Sequence, residues 1–172
     1  YEGYQDEKGV AEGSQTETYF KLTAFSDKHD FRGVPLILES GKKMDRTTTE
    51  VVVTFKPSTS PFINAPLKPQ NKLRYQLLPE EKISMCFLSK RPGFEYDVKE
   101  HELGFDYRKA YLDEVFVNDY EALLSDIIRG DQTLFVSTSE IMSEWAFIEP
   151  IINVWHHEGK PELVKYEKDV NS

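Results

Sequence analysis

Hydrophobic positions along this chain change their spacing part-way. Up to about residue 110 they recur at every second position, as side chains do on one face of a strand, and beyond about residue 117 they recur at every third and fourth, as on one side of a helix. Thr16 to Phe25 sets Phe20, Leu22 and Ala24 against Tyr19, Lys21, Thr23 and Phe25. Val34 to Glu39 is a short apolar run, and Thr48 to Phe55 is rich in β-branched residues, with Val51, Val53 and Phe55 on one face and Glu50, Val52 and Thr54 on the other. Leu73 to Leu78 and Ile83 to Ser89 predict two more strands around the turn Pro79 to Lys82, the second with Ile83, Met85 and Phe87 on one face and Ser84, Cys86 and Leu88 on the other. After the turn Lys90-Arg91-Pro92-Gly93, Phe94 to Tyr107 reads as mostly extended.

Two helices follow. Asn118 with Glu121 has the form of a capping box, after which Tyr120, Leu123, Leu124, Ile127 and Ile128 share a face and Gly130 ends the helix. Ser137 with Glu140 repeats the signature ahead of Ile141, Trp145, Ile148, Ile152 and Trp155, and Pro150 is expected to kink or divide that helix. Strands first and helices after predict an α+β domain: a large, mostly antiparallel sheet with helices packed on one face. Residues 1–16 are a polar, glycine-containing lead-in, 17–158 form the domain, and 159–172 are a polar tail expected to fray. Pro57, Pro61, Pro66 and Pro69 make the stretch to Asn71 a long connection that is no central strand.

Composition adds bounds. A chain of 172 residues, 39% hydrophobic, is long enough for one domain with a substantial core. Its net charge of −9 argues against nonspecific nucleic-acid binding, so an anionic ligand must be met by a local cluster. Cys86 is the single cysteine, which excludes an intramolecular disulfide and is most simply a packing residue. No apolar run approaches the ~20 residues of a membrane span. A cytoplasmic protein, bound neither to nucleic acid nor to a membrane, is the expectation. Because the first residue is Tyr1 and not Met, the sequence reads as a piece of something longer.

The chemistry centres on Gly33 to Lys56, read as a hairpin whose basic loop holds Gly41, Lys42, Lys43 and Arg46. A positive φ at Gly41 would let the backbone turn tightly and leave Lys42 at a strand end with its ammonium off the sheet edge, where it suits a phosphate. The plainer reading is a solvated hairpin tip. Glu95, Asp97, Glu100, Glu102 and Asp106 fall on both parities, which favours a solvated face over an acid and base pair. No GxGxxG, P-loop or GxSxG occurs, and His29, His101, His156 and His157 lack zinc-ligand spacing. His156 and His157, at a helix end, suit the helix dipole.

At DYEALLSDIIRGDQTLFV, Asp119 to Val136, the chain resembles the C-terminal domain of glucose-6-phosphate dehydrogenases. TETYFKLTAF from Thr16, GVPLILESGK from Gly33, the KRPG turn from Lys90 and the Trp145 to Pro150 region fall in that family's order and spacing. The resemblance implies a parent enzyme that oxidises C1 of glucose 6-phosphate to the lactone and passes hydride to NADP, at the entrance of the pentose phosphate route. It implies that the dinucleotide-binding domain and the RIDHYLGKE-type motif with the histidine base lie upstream, and that His29 is not that base. This chain would supply a wall of the substrate site and a homodimer interface through the sheet, and would not be competent alone. It further implies that Lys42 contacts the sugar phosphate. A second basic residue usually follows where Thr47 stands, with Arg46 as its neighbour. The arginines that hold a second, structural NADP in some relatives correspond to Glu39, Val52 and Gln76, so that site is expected to be missing. The alternative is a noncatalytic scaffold or regulatory module derived from the same fold.

Overall fold

A computed structural model describes residues 1, 3–57, 70–95, 97–158 and 162–167. The middle of the proline-rich connection and the ends of the polar tail lie outside the described residues. The chain divides into two compact units, Tyr1–Arg46 with Val117–Ser172, and Thr47–Phe116.

In the first unit, β1 (Tyr19–Ala24) pairs antiparallel with β2 (Leu36–Gly41), with Lys21 opposite Glu39 and Tyr19 opposite Gly41. Two helices belong to the same unit. Helix α2 (Asp119–Arg129) starts at Asn118, whose side chain accepts from the Tyr120 N–H without the reciprocal bond from Glu121, and stops at Gly130, in the left-handed conformation at φ 70°. Helix α3 (Thr138–Asn153) has the full box, Ser137 accepting from the Glu140 N–H while the Glu140 carboxylate accepts from the Ser137 N–H. It runs through Pro150 undivided and gives way to a π-helical turn, Val154–Glu158. His156 Nε2 lies 3.4 Å from Glu17 Oε2.

The second unit is a meander of four antiparallel strands, β3 (Thr49–Thr54), β4 (Lys72–Leu78), β5 (Lys82–Lys90) and β6 (Val98–Asp106), closed by the short helix α1 (Tyr107–Ala110). The alternation read from the sequence sorts its two faces. Val51, Tyr75, Ile83 and Phe105 line up across all four strands, as do Val53, Leu73, Met85 and Leu103, while Glu50, Gln76, Lys82 and Asp106 form a polar row on the opposite face.

The α+β class and the antiparallel pairing are those predicted, with the six strands among the described residues shared between two sheets. The hairpin is corrected. β2 pairs with β1 and β3 with β4, so Gly33–Lys56 leads from one unit into the next. Alternation reports which face a side chain takes and is silent on which strand lies alongside. The turn is also made differently: Lys43, not Gly41, has the positive φ, at 54°.

Candidate functional site

The end of β2 is built by close approach. A Cβ at Gly41 would lie 2.7 Å from the Met44 sulfur and 2.8 Å from Cδ2 of Tyr19, so the glycine is needed for space and not for its φ. Because Gly41 is bare, the ring of Tyr19 opposite can lie across the strand end, where its hydroxyl donates to Glu39 Oε1 at 2.8 Å. Lys21 holds the other oxygen of Glu39, also at 2.8 Å. Partial burial together with the bond to Glu39 raises the pKa of the Tyr19 phenol, and the same carboxylate raises that of Lys21. Both therefore keep their protons across the physiological range.

Lys42 comes next, just past the last ladder pair. Its N–H donates to the Thr18 carbonyl at 2.8 Å, and its own carbonyl accepts from the Tyr166 hydroxyl at 2.8 Å. The backbone is thus held on both sides while the side chain is exposed, and among the described residues the ammonium has no ion-pair partner. An ammonium on a fixed backbone with no internal counter-ion is a ready contact for an anion.

Arg46 is the last residue of the first unit and Thr47 the first of the second. Both are exposed, and neither side chain bonds another described residue. The backbone bends at Lys42, Lys43, Asp45 and Arg46, so strand alternation does not govern where Arg46 points. At the three positions expected above to lack a second NADP site, Glu39 is engaged with Lys21 and Tyr19, Val52 is apolar, and Gln76 donates to the Glu80 carbonyl at 3.0 Å. A carboxylate and two neutral side chains do not fit a second dinucleotide's phosphates.

Tyr166 and Thr18 were not legible as site residues. Tyr166 belongs to a stretch expected to fray, yet its hydroxyl reaches Lys42 and its ring lies 5.8 Å from that of Tyr19. An isolated tyrosine in a polar tail carries no periodic signal; its partners come from the other end of the chain.

The second unit offers a different kind of surface. An open groove of about 420 Å³ runs along the apolar face beside Tyr75, Leu77, Ile83, Phe105 and Tyr107. The cation at its rim, Lys82, is bound to Glu102 at 2.8 Å. Arg74 is paired with Glu50, Arg91 with Asp97 and Arg108 with Glu81. Among the described residues, no three His, Cys, Asp or Glu side chains come together as metal ligands.

Residues 1–171 match the family described as "Glucose-6-phosphate dehydrogenase, C-terminal domain". The chain belongs to the glucose-6-phosphate dehydrogenase family. It is 38% identical over 166 residues to a glucose-6-phosphate 1-dehydrogenase of Aggregatibacter actinomycetemcomitans, covering 96% of this chain and 33% of that protein. The enzyme of Borreliella burgdorferi is 35% identical over 154 residues, covering 89% of this chain and 32% of that protein. The chain therefore spans about a third of the length of these relatives. Among solved structures, a glucose-6-phosphate dehydrogenase in complex with its substrate glucose 6-phosphate shares the fold, with a TM-score of 0.86 at 24% identity over 98% of this chain and 34% of that one. The glucose-6-phosphate 1-dehydrogenase of Mycobacterium avium aligns with a TM-score of 0.75 at 25% identity, over 97% of this chain and 34% of that one. The α+β fold is that of the family's C-terminal domain.

Proposed function

We propose that this chain is the C-terminal part of an NADP-dependent, cytoplasmic glucose-6-phosphate dehydrogenase and that Lys42 receives the phosphate of the sugar. The exposed ammonium, without an ion-pair partner among the described residues and on a backbone tied to Thr18 and Tyr166, carries the reading, together with the family to which the chain belongs. An N-terminal dinucleotide-binding domain of the same polypeptide binds NADP and supplies the base that deprotonates the C1 hydroxyl as hydride leaves. The C-terminal part contributes one wall of the substrate site and, through its sheet, the homodimer interface. Arg46 adds a second cation near the phosphate where relatives have a basic residue at the position of Thr47, and the Thr47 hydroxyl is a further contact.

A phosphate is a strong acceptor in three directions, whereas a free sugar offers only neutral hydroxyls, so the ammonium discriminates between them. In the full-length enzyme, Lys42→Ala is expected to raise KM for glucose 6-phosphate far more than KM for free glucose. Equal effects on the two sugars would remove the phosphate role. The 172 residues alone are expected to reduce no NADP; turnover by them would overturn the division of labour. A full-length protein that never oxidises glucose 6-phosphate would instead make the chain part of a noncatalytic scaffold.

A further inference from the structure

We propose that Tyr166 is a positioning residue for Lys42, its phenol fixing the peptide from which the phosphate-binding ammonium projects. The inference rests on the reading of Lys42 given above.

The last ladder pair of the two-stranded sheet is Tyr19 with Gly41, and one further backbone bond, from the Lys42 N–H to the Thr18 carbonyl, ends the pairing, so the Lys42 carbonyl lies past the point where strand pairing holds the backbone. The next residue, Lys43, takes φ 54°, a left-handed conformation that residues with a side chain rarely adopt. The peptide between Lys42 and Lys43 is thus the joint at which the strand ends and the turn begins. Its carbonyl, that of Lys42, is the one Tyr166 holds at 2.8 Å across 124 residues of sequence.

The same phenolic oxygen lies 3.2 Å from the Thr18 carbonyl and 3.2 Å from the Thr18 hydroxyl. A phenol has one proton to give. The shorter contact assigns it to the Lys42 carbonyl, with the Thr18 hydroxyl free to donate to the phenol oxygen. Thr18 also accepts the Lys42 N–H, so Thr18 and Tyr166 grip one residue from its two sides. The Tyr166 ring is itself set against Tyr19, whose hydroxyl is anchored on Glu39. A segment of the tail in this way carries the geometry of the β1–β2 pair to the turn after it.

Losing the hydroxyl would leave the charge of Lys42 and the ring contact intact. It would release the Lys42–Lys43 peptide to reorient, so that the ammonium samples positions from which it misses the phosphate. The cost falls on binding of the phosphorylated sugar and leaves the reacting end, which this chain does not hold, unchanged.

The test is Tyr166→Phe in the full-length enzyme, alone and combined with Lys42→Ala. The single variant is expected to raise KM for glucose 6-phosphate about three- to tenfold, as for loss of one neutral hydrogen bond, with kcat little changed. Its kcat/KM for free glucose is expected to stay at the wild-type value. In the Lys42→Ala background the same substitution is expected to add nothing, because there is no ammonium left to aim. An unchanged KM for glucose 6-phosphate, an equal loss on both sugars, or a full effect on top of Lys42→Ala would each overturn the proposal. If Lys42→Ala is selective for the phosphorylated sugar and Tyr166→Phe is silent, only the positioning role falls. If Lys42→Ala is itself unselective, the phosphate role falls and takes the positioning role with it.

Discussion

Two lysines, one from each sheet, are held in opposite ways: Lys82 by a carboxylate and Lys42 by its backbone. On the four-stranded sheet, Arg74 and Lys82 each face a carboxylate, at 3.1 and 2.8 Å, while Lys72 and Lys99 have no ion-pair partner among the described residues. At the end of the two-stranded sheet, Lys21 has its carboxylate in Glu39, whereas Lys42 has none among the described residues and makes its polar contacts through the backbone. A cation already matched inside the protein would have to break that match to bind a ligand, whereas one held by its backbone alone meets a ligand at no such cost. What sets Lys42 apart is an ammonium free among the described residues together with a backbone held on both sides.

The largest effect that would sharpen this contrast is on substrate. Removing the Lys42 ammonium takes away a charge-assisted hydrogen bond, about 1.5–3 kcal/mol, or roughly ten- to a hundredfold in kcat/KM for glucose 6-phosphate in the full-length enzyme. Lys82→Met is the matched control from the other sheet. It breaks the ion pair with Glu102, and steady-state kinetics are expected to show no change in KM for either sugar. A loss of phosphate selectivity in Lys82→Met equal to that in Lys42→Ala would break the comparison.

The glycines of the two sheets give the next effect. At Gly41 a methyl group would strike the Tyr19 ring at 2.8 Å, and that ring is fixed by its bond to Glu39 and by Tyr166. Gly41→Ala is expected to destabilise by about 1–3 kcal/mol, the ordinary cost of overpacking, read from denaturant unfolding of the full-length protein. At Gly104, opposite Ser84 on β6, a methyl group would meet the Lys82 side chain, 3.0 Å from Cε. A half-exposed lysine stem can move aside, and the less flexible unfolded chain favours alanine, so Gly104→Ala is expected within about 0.5 kcal/mol of wild type. A larger loss at Gly104 than at Gly41 would show that the crowding at Gly41 has no structural consequence.

What the sequence revealed follows the reach of its signals. Face assignment was legible: Val51, Val53, Ile83, Met85 and the alternation between them predict the two apolar rows that cross the second sheet. Helix ends were legible where capping is local, as at Ser137 with Glu140 and at Gly130. Partner choice was not, because β1 and β2 are matched through contacts such as Lys21 with Glu39 that no short window contains. The site divides the same way. Lys42 stands out beside Gly41, but the reason for that glycine is a ring from the neighbouring strand, and the hydroxyl holding Lys42 comes from Tyr166, far along the chain.

The smallest effect expected is one of acidity, confined to the four-stranded sheet. Asp106 ends β6 and caps α1, accepting from the Lys109 N–H at 3.0 Å while the Lys109 ammonium lies 2.6 Å from its other oxygen. The Lys109 ammonium first, and the Lys109 N–H second, hold the Asp106 carboxyl below its ordinary range. A carboxyl depressed on folding stabilises the protein fully above its unfolded value, and that contribution is lost as pH falls through the folded value. Asp106→Asn keeps an acceptor for the cap and removes the titration. Wild type is therefore expected to unfold at a slightly higher temperature than Asp106→Asn near neutrality, with the gap closing as pH is lowered through the carboxylate range. KM for glucose 6-phosphate at neutral pH is expected to match in the two proteins, because Asp106 neutralises a lysine of its own unit and Lys42 has no such carboxylate to lose. A gap that stays constant with pH would show that the Asp106 charge contributes nothing to α1. A shifted KM would show that the paired charges of the second sheet bear on the phosphate as well.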